Sequence, residues 1–332
     1  MKPFHCSVSI RLAVFLLFSL PILRGNAVEE AVLPGGVCYS AISIPAESLR
    51  GNLTGEPCVQ TDYVFLPPSY DRGEKRYPVL YFFTGFEMTS DIGYLEKVLS
   101  SVMERGEYII VSVNDINSLQ GSFGAGSPVI GSWSEFYLNE VIPYIDGHFR
   151  TVVSPEGRAV GGFSMGGHIA VRLAFGHPEI FSILYAVSPG LFDENGLKNA
   201  MHTWDDIFLK AYGAAYAPNP DIPYPHAEIP SMDGSTADMA IQEKWNKGFG
   251  DLPEMVELYL SREVRLKAIC IEVGIHDAYP WILDGCICLD SLLSSKKIAH
   301  AFVLTGNGHD FTPEIFRTGM GRYVSHAFFP QN

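Results

Sequence analysis

From Thr61 onward the chain alternates short runs of β-branched and aromatic residues with longer amphipathic stretches, and this alternation most constrains its fold. Apolar runs of strand length occupy 61–66, 78–84, 108–113, 158–163, 182–187, 268–273 and 300–305. Most are apolar nearly throughout rather than at every second residue, which suits strands covered on both faces. Between them, Trp133, Phe136, Tyr137, Val141 and Tyr144 recur at helical spacing over 133–149, and Gly166–Gly176 continues a strand-turn-helix unit. The pattern predicts an α/β domain with a mostly parallel central sheet and helices on both faces. From about 191 to 261 the rhythm breaks, with Pro218, Pro220, Pro223, Pro225 and Pro230 crowded together. This stretch is expected to be an excursion inserted between two strands: a lid over a site, a disordered loop or an irregular decoration. The lid is favoured because long loops in compact domains tend to carry function.

Composition narrows the function classes. With 47% hydrophobic, 12% aromatic and 18% charged residues, the chain can bury enough side chains to offset the entropy of ordering. The net charge of −14 and the lack of any Lys/Arg run argue against a nucleic-acid partner. Residues 1–27 read as a secretory signal peptide: Lys2 and Arg11 are basic, 12–23 is almost wholly apolar, and Gly25-Asn26-Ala27 offers a cleavage site after Ala27. An uncleaved anchor is the rival reading, but an apolar run broken by Pro21 falls well short of the roughly 20 residues that span a bilayer. No later stretch reaches that length, so no stable span is expected after cleavage. Cleavage removes three basic residues and no acidic one, moving the charge to −17 and leaving 28–332 as one expected domain. It also leaves five cysteines. Cys38 and Cys58 are candidates to close a loop, Cys270 reads as a buried thiol, and Cys286-Ile287-Cys288 is too tight for a usual disulfide. Asn52-Leu53-Thr54 is a glycosylation acceptor only in a host with that machinery.

The chemistry concentrates in Gly162-Phe163-Ser164-Met165-Gly166, set directly after a predicted strand and directly before a predicted helix. A serine on such a turn presents its hydroxyl at the sheet edge, and glycines two before and two after remove side chains that would collide with neighbouring elements. A serine hydroxyl is a weak nucleophile until a histidine takes its proton and an acid orients that histidine. In this context the partners are expected downstream, acid before histidine, each in a loop after a later strand. Asp277 follows the strand at 268–273, and His309 follows the strand at 300–305 after Gly306 and Gly308, two glycines that allow a mobile turn. Glu272, Asp284, Asp290 and Asp310 are competing acids; each lies in a strand, in a predicted helix, or beside the base. A tetrahedral oxyanion needs backbone donors, for which the amides of Met165, at the helix start, and Phe86, after Thr84-Gly85, are the candidates. Gly121-Ser122-Phe123-Gly124-Ala125-Gly126 lacks the lysine and the helix start of a phosphate cradle and reads as a surface loop. No metal or other cofactor is expected.

These motifs resemble the α/β-hydrolase superfamily and, within it, the esterase family that includes esterase D, feruloyl esterases and secreted mycolyl-transferring antigens. The stretches that carry the resemblance are 77–85, 131–136, 162–167 and 308–311, the last two being the most specific. The resemblance implies an α/β-hydrolase fold with Ser164 as nucleophile, His309 as base, Asp277 as acid, and Phe86 and Met165 as oxyanion donors. Thr84 stands where many relatives carry histidine. The expected function is a secreted serine esterase acting on a small-molecule or carbohydrate-linked ester. An acyltransferase passing the acyl group to a sugar or lipid hydroxyl, and a binding protein on a hydrolase scaffold, are the alternatives. Trp204, Phe208, Tyr212, Tyr216, Tyr224 and Trp245 in the excursion either stack on a substrate or, the favoured reading, anchor the excursion by packing.

Overall fold

The computed structural model describes residues 27–33, 37–88, 97–101 and 106–330, so the expected signal segment lies outside the described residues except for Ala27. Nine strands form one sheet: β1 Ala27–Val32, β2 Cys38–Pro45, β3 Val59–Leu66, β4 Val79–Phe83, β5 Ile109–Ser112, β8 Arg158–Phe163, β9 Ile183–Val187, β10 Ala268–Gly274 and β11 Ala301–Thr305, in the order β1-β2-β3-β5-β4-β8-β9-β10-β11. The remaining two, β6 Gly126–Ser127 and β7 Gly131–Ser132, make a separate ribbon. The first three strands pair antiparallel as far as β5, and from β5 to β11 every pairing is parallel.

Burial explains why the central strands read as continuous apolar runs. Every residue of β4, β5, β8 and β9 is buried. Along β4, Val79, Tyr81 and Phe83 enter one apolar cluster while Leu80 and Phe82 enter the other, so the alternating side chains feed two cores. The larger cluster is covered by the Met165–Gly176 helix and the segments around it; the smaller takes Phe316, Met320 and Val324 from the C-terminal helical region.

The expected helix over 133–149 is a continuous helical run to His148, with a π-helical stretch at Phe136–Val141. The excursion is largely helical, comprising Gly196–Ala200, Asp206–Tyr216, Thr236–Phe249 and Leu252–Ser261. Asp205 and Ser235 cap two of these helices by accepting the amides of Phe208 and Asp238. Tyr212 and Trp245 are wholly buried; the Tyr212 hydroxyl donates to the Trp245 carbonyl at 2.9 Å and accepts from the Phe249 amide at 2.7 Å. These two rings pack, whereas Tyr224 is exposed. The suggested Cys38–Cys58 loop does not form. Cys38 opens β2 opposite Leu66, and Cys58 precedes Val59 opposite Pro45, so the two lie at opposite ends of an eight-residue strand pair, more than ~20 Å apart. Cys270 is buried, and desolvation pushes its thiol up to about 12.

Registers place the site. Phe83 pairs with Gly162, Phe163 with Val187, Val187 with Glu272, and Gly274 with Thr305. The carboxyl ends of β4, β8, β9, β10 and β11 therefore align along one edge, and the loops that follow them converge. Among the described residues no helix is long and apolar enough to cross a membrane.

Candidate active site

Ser164 sits on the turn between β8 and the Met165–Gly176 helix with φ 56° and ψ −116°, a conformation that side chains rarely adopt. Backbone hydrogen bonds hold it there: its amide donates to the Val187 carbonyl at 2.9 Å, and its carbonyl accepts from His168 at 3.0 Å and Gly190 at 3.1 Å. The flanking glycines are required by close approach. A Cβ at Gly162 would lie 2.3 Å from the Gly166 carbonyl oxygen, and one at Gly166 would lie 2.2 Å from that of Phe83.

The His309 Nε2 lies 2.9 Å from Ser164 Oγ, and its Nδ1 lies 2.7 Å from Asp277 Oδ2. With Nδ1–H donating to the carboxylate, Nε2 is left as the acceptor for the serine hydroxyl. The Asp277 side chain is fully buried, and its Oδ1 accepts the Tyr279 amide at 2.8 Å. The imidazole is packed between Phe163, at 4.7 Å, and Tyr279, which meets it edge-on at 5.0 Å. Two backbone bonds stitch the acid loop to the histidine loop, Ile275 N to Thr305 O at 2.9 Å and His276 N to Asn307 O at 3.1 Å. The competing acids go elsewhere: Glu272 accepts the Tyr185 hydroxyl, Asp290 faces His300 at 2.9 Å, and Asp284 lies in the Pro280–Ser295 helix. His276 is an exposed loop residue.

Phe86 and Met165 border the same space as Ser164, and neither amide has an acceptor among the described residues. The Phe86 loop is fixed from below. Asp115, buried after β5, accepts the Thr84 amide at 2.8 Å on one oxygen and the Thr84 hydroxyl at 2.7 Å on the other. Burial pushes the Asp115 carboxyl up to about 8, with the Thr84 bonds acting in the opposite sense. The Phe86 ring packs on Phe208 at 4.6 Å and on Phe123 at 5.9 Å.

A cavity of about 280 Å³ opens over Ser164 and His309. Its walls come from the Gly85–Met88 loop, from Thr203, Trp204, Asp205 and Phe208 of the excursion, from Phe249, and from Tyr279, Trp281 and Ile282. Sequence reasoning located Ser164, Asp277, His309, Phe86 and Met165, which the fold brings together. It did not find Asp115, Tyr279 or Trp281. Asp115 would have been visible only as a lone acid just past a buried strand, and the cavity walls join segments far apart in sequence, so no local pattern marks them.

Comparison with known proteins fits this architecture. The family described as “Putative esterase” matches residues 57–247, more than half of the chain. An esterase of Mycobacterium tuberculosis is 33% identical over 119 residues, covering 34% of this chain and 26% of that protein. The match thus spans about a quarter of the length of these curated relatives. Among solved structures, a ferulic acid esterase superposes with a TM-score of 0.59 at 20% identity, over 88% of this chain and 98% of that one. An S-formylglutathione hydrolase from Staphylococcus aureus superposes with a TM-score of 0.61 at 13% identity, over 88% and 99%. At such identities these structures speak for the fold alone, that of the α/β-hydrolases. Taken with the family match, they make the chain a member of this esterase family, built on the α/β-hydrolase fold.

Proposed function

We propose that the protein is a serine esterase that hydrolyses a carboxylic ester through an acyl-enzyme on Ser164. The observation that carries this reading is the continuous chain from Ser164 Oγ to His309 Nε2 at 2.9 Å and from His309 Nδ1 to Asp277 at 2.7 Å, on a strained turn beside two unengaged amides. In the first half-reaction Oγ bonds to the ester carbonyl carbon while its proton passes to Nε2. The carbonyl oxygen becomes an oxyanion that accepts hydrogen bonds from Phe86 and Met165. Collapse breaks the bond to the alcohol oxygen, which leaves with the proton from Nε2. Water then repeats the sequence on the acyl-enzyme, giving its proton to Nε2 and releasing the acid and Ser164. Asp277, buried and fixed by the Tyr279 amide, holds the imidazole and stabilises its cationic form. Each oxyanion donor is worth roughly a hundredfold to a thousandfold in such sites.

The test is hydrolysis of a short-chain nitrophenyl ester by the chain from Val28, beside the Ser164→Ala variant. The variant is expected to lose at least about 10³-fold in kcat with an unchanged circular dichroism spectrum. Equal rates in the two proteins would end the reading. The same proposal takes residues 1–27 as a secretory leader and 28–332 as the secreted domain. Expression with the native leader should release a product whose amino-terminal residue is Val28, which protein sequencing checks.

A further inference from the structure

The cavity over Ser164 has an unusual charge balance. Its described lining includes two carboxylates, Glu87 and Asp205, and neither lysine nor arginine. Both acids are exposed, and neither forms an ion pair among the described residues. Asp205 uses Oδ1 to accept the Phe208 amide; the Glu87 carboxylate, exposed, takes part in no hydrogen bond among the described residues. They come from different parts of the fold. Glu87 adjoins the Phe86 amide on the loop after β4, and Asp205 caps a helix of the excursion. Much of the remaining wall is aromatic: Phe86, Trp204, Phe208, Phe249, Tyr279 and Trp281 border the space, beside Met88, Thr203 and Ile282. Aromatic faces attract weakly hydrated cations through the ring quadrupole, and carboxylates beside them add a Coulombic attraction strengthened by low-dielectric walls. The whole chain carries −14, so its long-range field also favours a cation.

We propose that this pocket selects esters bearing a quaternary or alkylated ammonium group, seated against the aromatic wall between Glu87 and Asp205. The proposal rests on the esterase reading for turnover but not for binding. An anionic ester is disfavoured by the same charges, and an uncharged isostere of equal size keeps the apolar contact while losing the electrostatic attraction.

The test separates charge from shape by pairing choline with its uncharged carbon isostere, 3,3-dimethylbutan-1-ol. Binding of each to Ser164→Ala is followed by saturation-transfer NMR at fixed ionic strength. Hydrolysis by the wild type is then compared for butyrylthiocholine and its 3,3-dimethylbutyl counterpart. Choline is expected to bind at least about fivefold more tightly than the isostere, and the thiocholine ester to show a kcat/KM advantage of similar size. Both ratios should collapse in Glu87→Gln/Asp205→Asn, in which the asparagine keeps the helix cap. A binding ratio smaller than this, or one that survives in the double variant, overturns the proposal. If no ester is hydrolysed by the wild type, the esterase reading falls, and the binding ratio still decides the charge selectivity. If neutral esters turn over while choline binds no better than the alcohol, the esterase reading stands and the selectivity does not.

Discussion

At Ser164 a strained backbone conformation coincides with several close backbone ties. A φ of 56° costs on the order of 1–3 kcal/mol and persists only where the surroundings over-determine it. Here three backbone hydrogen bonds and two glycine contacts do so, and the hydroxyl is aimed at His309. Asp277 sits one bond further along, with both oxygens engaged by different donors, His309 Nδ1 and the Tyr279 amide. An asparagine in its place keeps one acceptor. If that acceptor stays with Tyr279, the amide NH₂ faces Nδ1 and forces the proton onto Nε2, where it can no longer accept from Ser164. Asp277→Asn is therefore expected to lower kcat by about 10³–10⁴-fold while leaving the melting temperature nearly unchanged. Steady-state kinetics and a thermal melt on the same preparation check both parts; a variant within tenfold of wild type would show that His309 does not depend on this carboxylate.

Elements position these residues through close backbone approach. Gly274 ends β10, and a Cβ there would lie 2.3 Å from the Asn307 carbonyl oxygen and 2.6 Å from that of Gly308. The contact lets the acid loop lie directly against the histidine loop. Gly274→Ala is expected to push the 306–309 turn outward, lowering kcat/KM by about 100-fold or more, since a displacement near 1 Å in a reacting group has effects of that size. Retained circular dichroism with lost turnover is the expected pair of measurements, and full turnover would show that the loops can part without consequence. The parallel strands were legible in the sequence because β4, β5, β8, β9 and nearly all of β10 are buried on both faces, while β11, an edge strand with Val303 and Leu304 exposed, still carries an apolar run: Arg158–Phe163 was bounded as observed, and the others to within a few residues. The antiparallel β1 and β2 were not, because β2 mixes serine into its run and its partner begins inside the stretch assigned to the leader. Ser164, Asp277 and His309 were legible because each follows a readable strand. The cavity walls were not, since Trp204 and Trp281 meet at 5.6 Å from positions 77 residues apart.

Over the whole molecule, buried ionisable groups make stability depend on pH in opposing senses. His168 is buried, and desolvation holds its imidazole well below the usual range, so stability falls as pH drops below the ordinary histidine value. Asp62 on β3 and Asp115 act the other way. Desolvation pushes Asp62 up to about 7, with the Asn114 amide opposing, and one of its oxygens has no partner among the described residues. Asp115 is pushed up to about 8. An unfolded chain releases these protons near pH ~3.9, the ordinary aspartate value, so above that pH the folded state holds protons that the unfolded state has lost. Their stabilisation is complete below the unfolded value and is lost as pH rises through the folded one, at about 1.4 kcal/mol per pH unit for each group within its window. Asp62→Asn keeps an acceptor for the Asn114 amide and removes one titration. The variant is therefore expected to match the wild type in urea midpoint near pH 4 and to exceed it progressively toward pH 8. Parallel urea curves at both pH values would mean instead that Asp62 is ionised in the folded protein and that solvent or a rearranged partner reaches the oxygen left unpaired beneath Asn114.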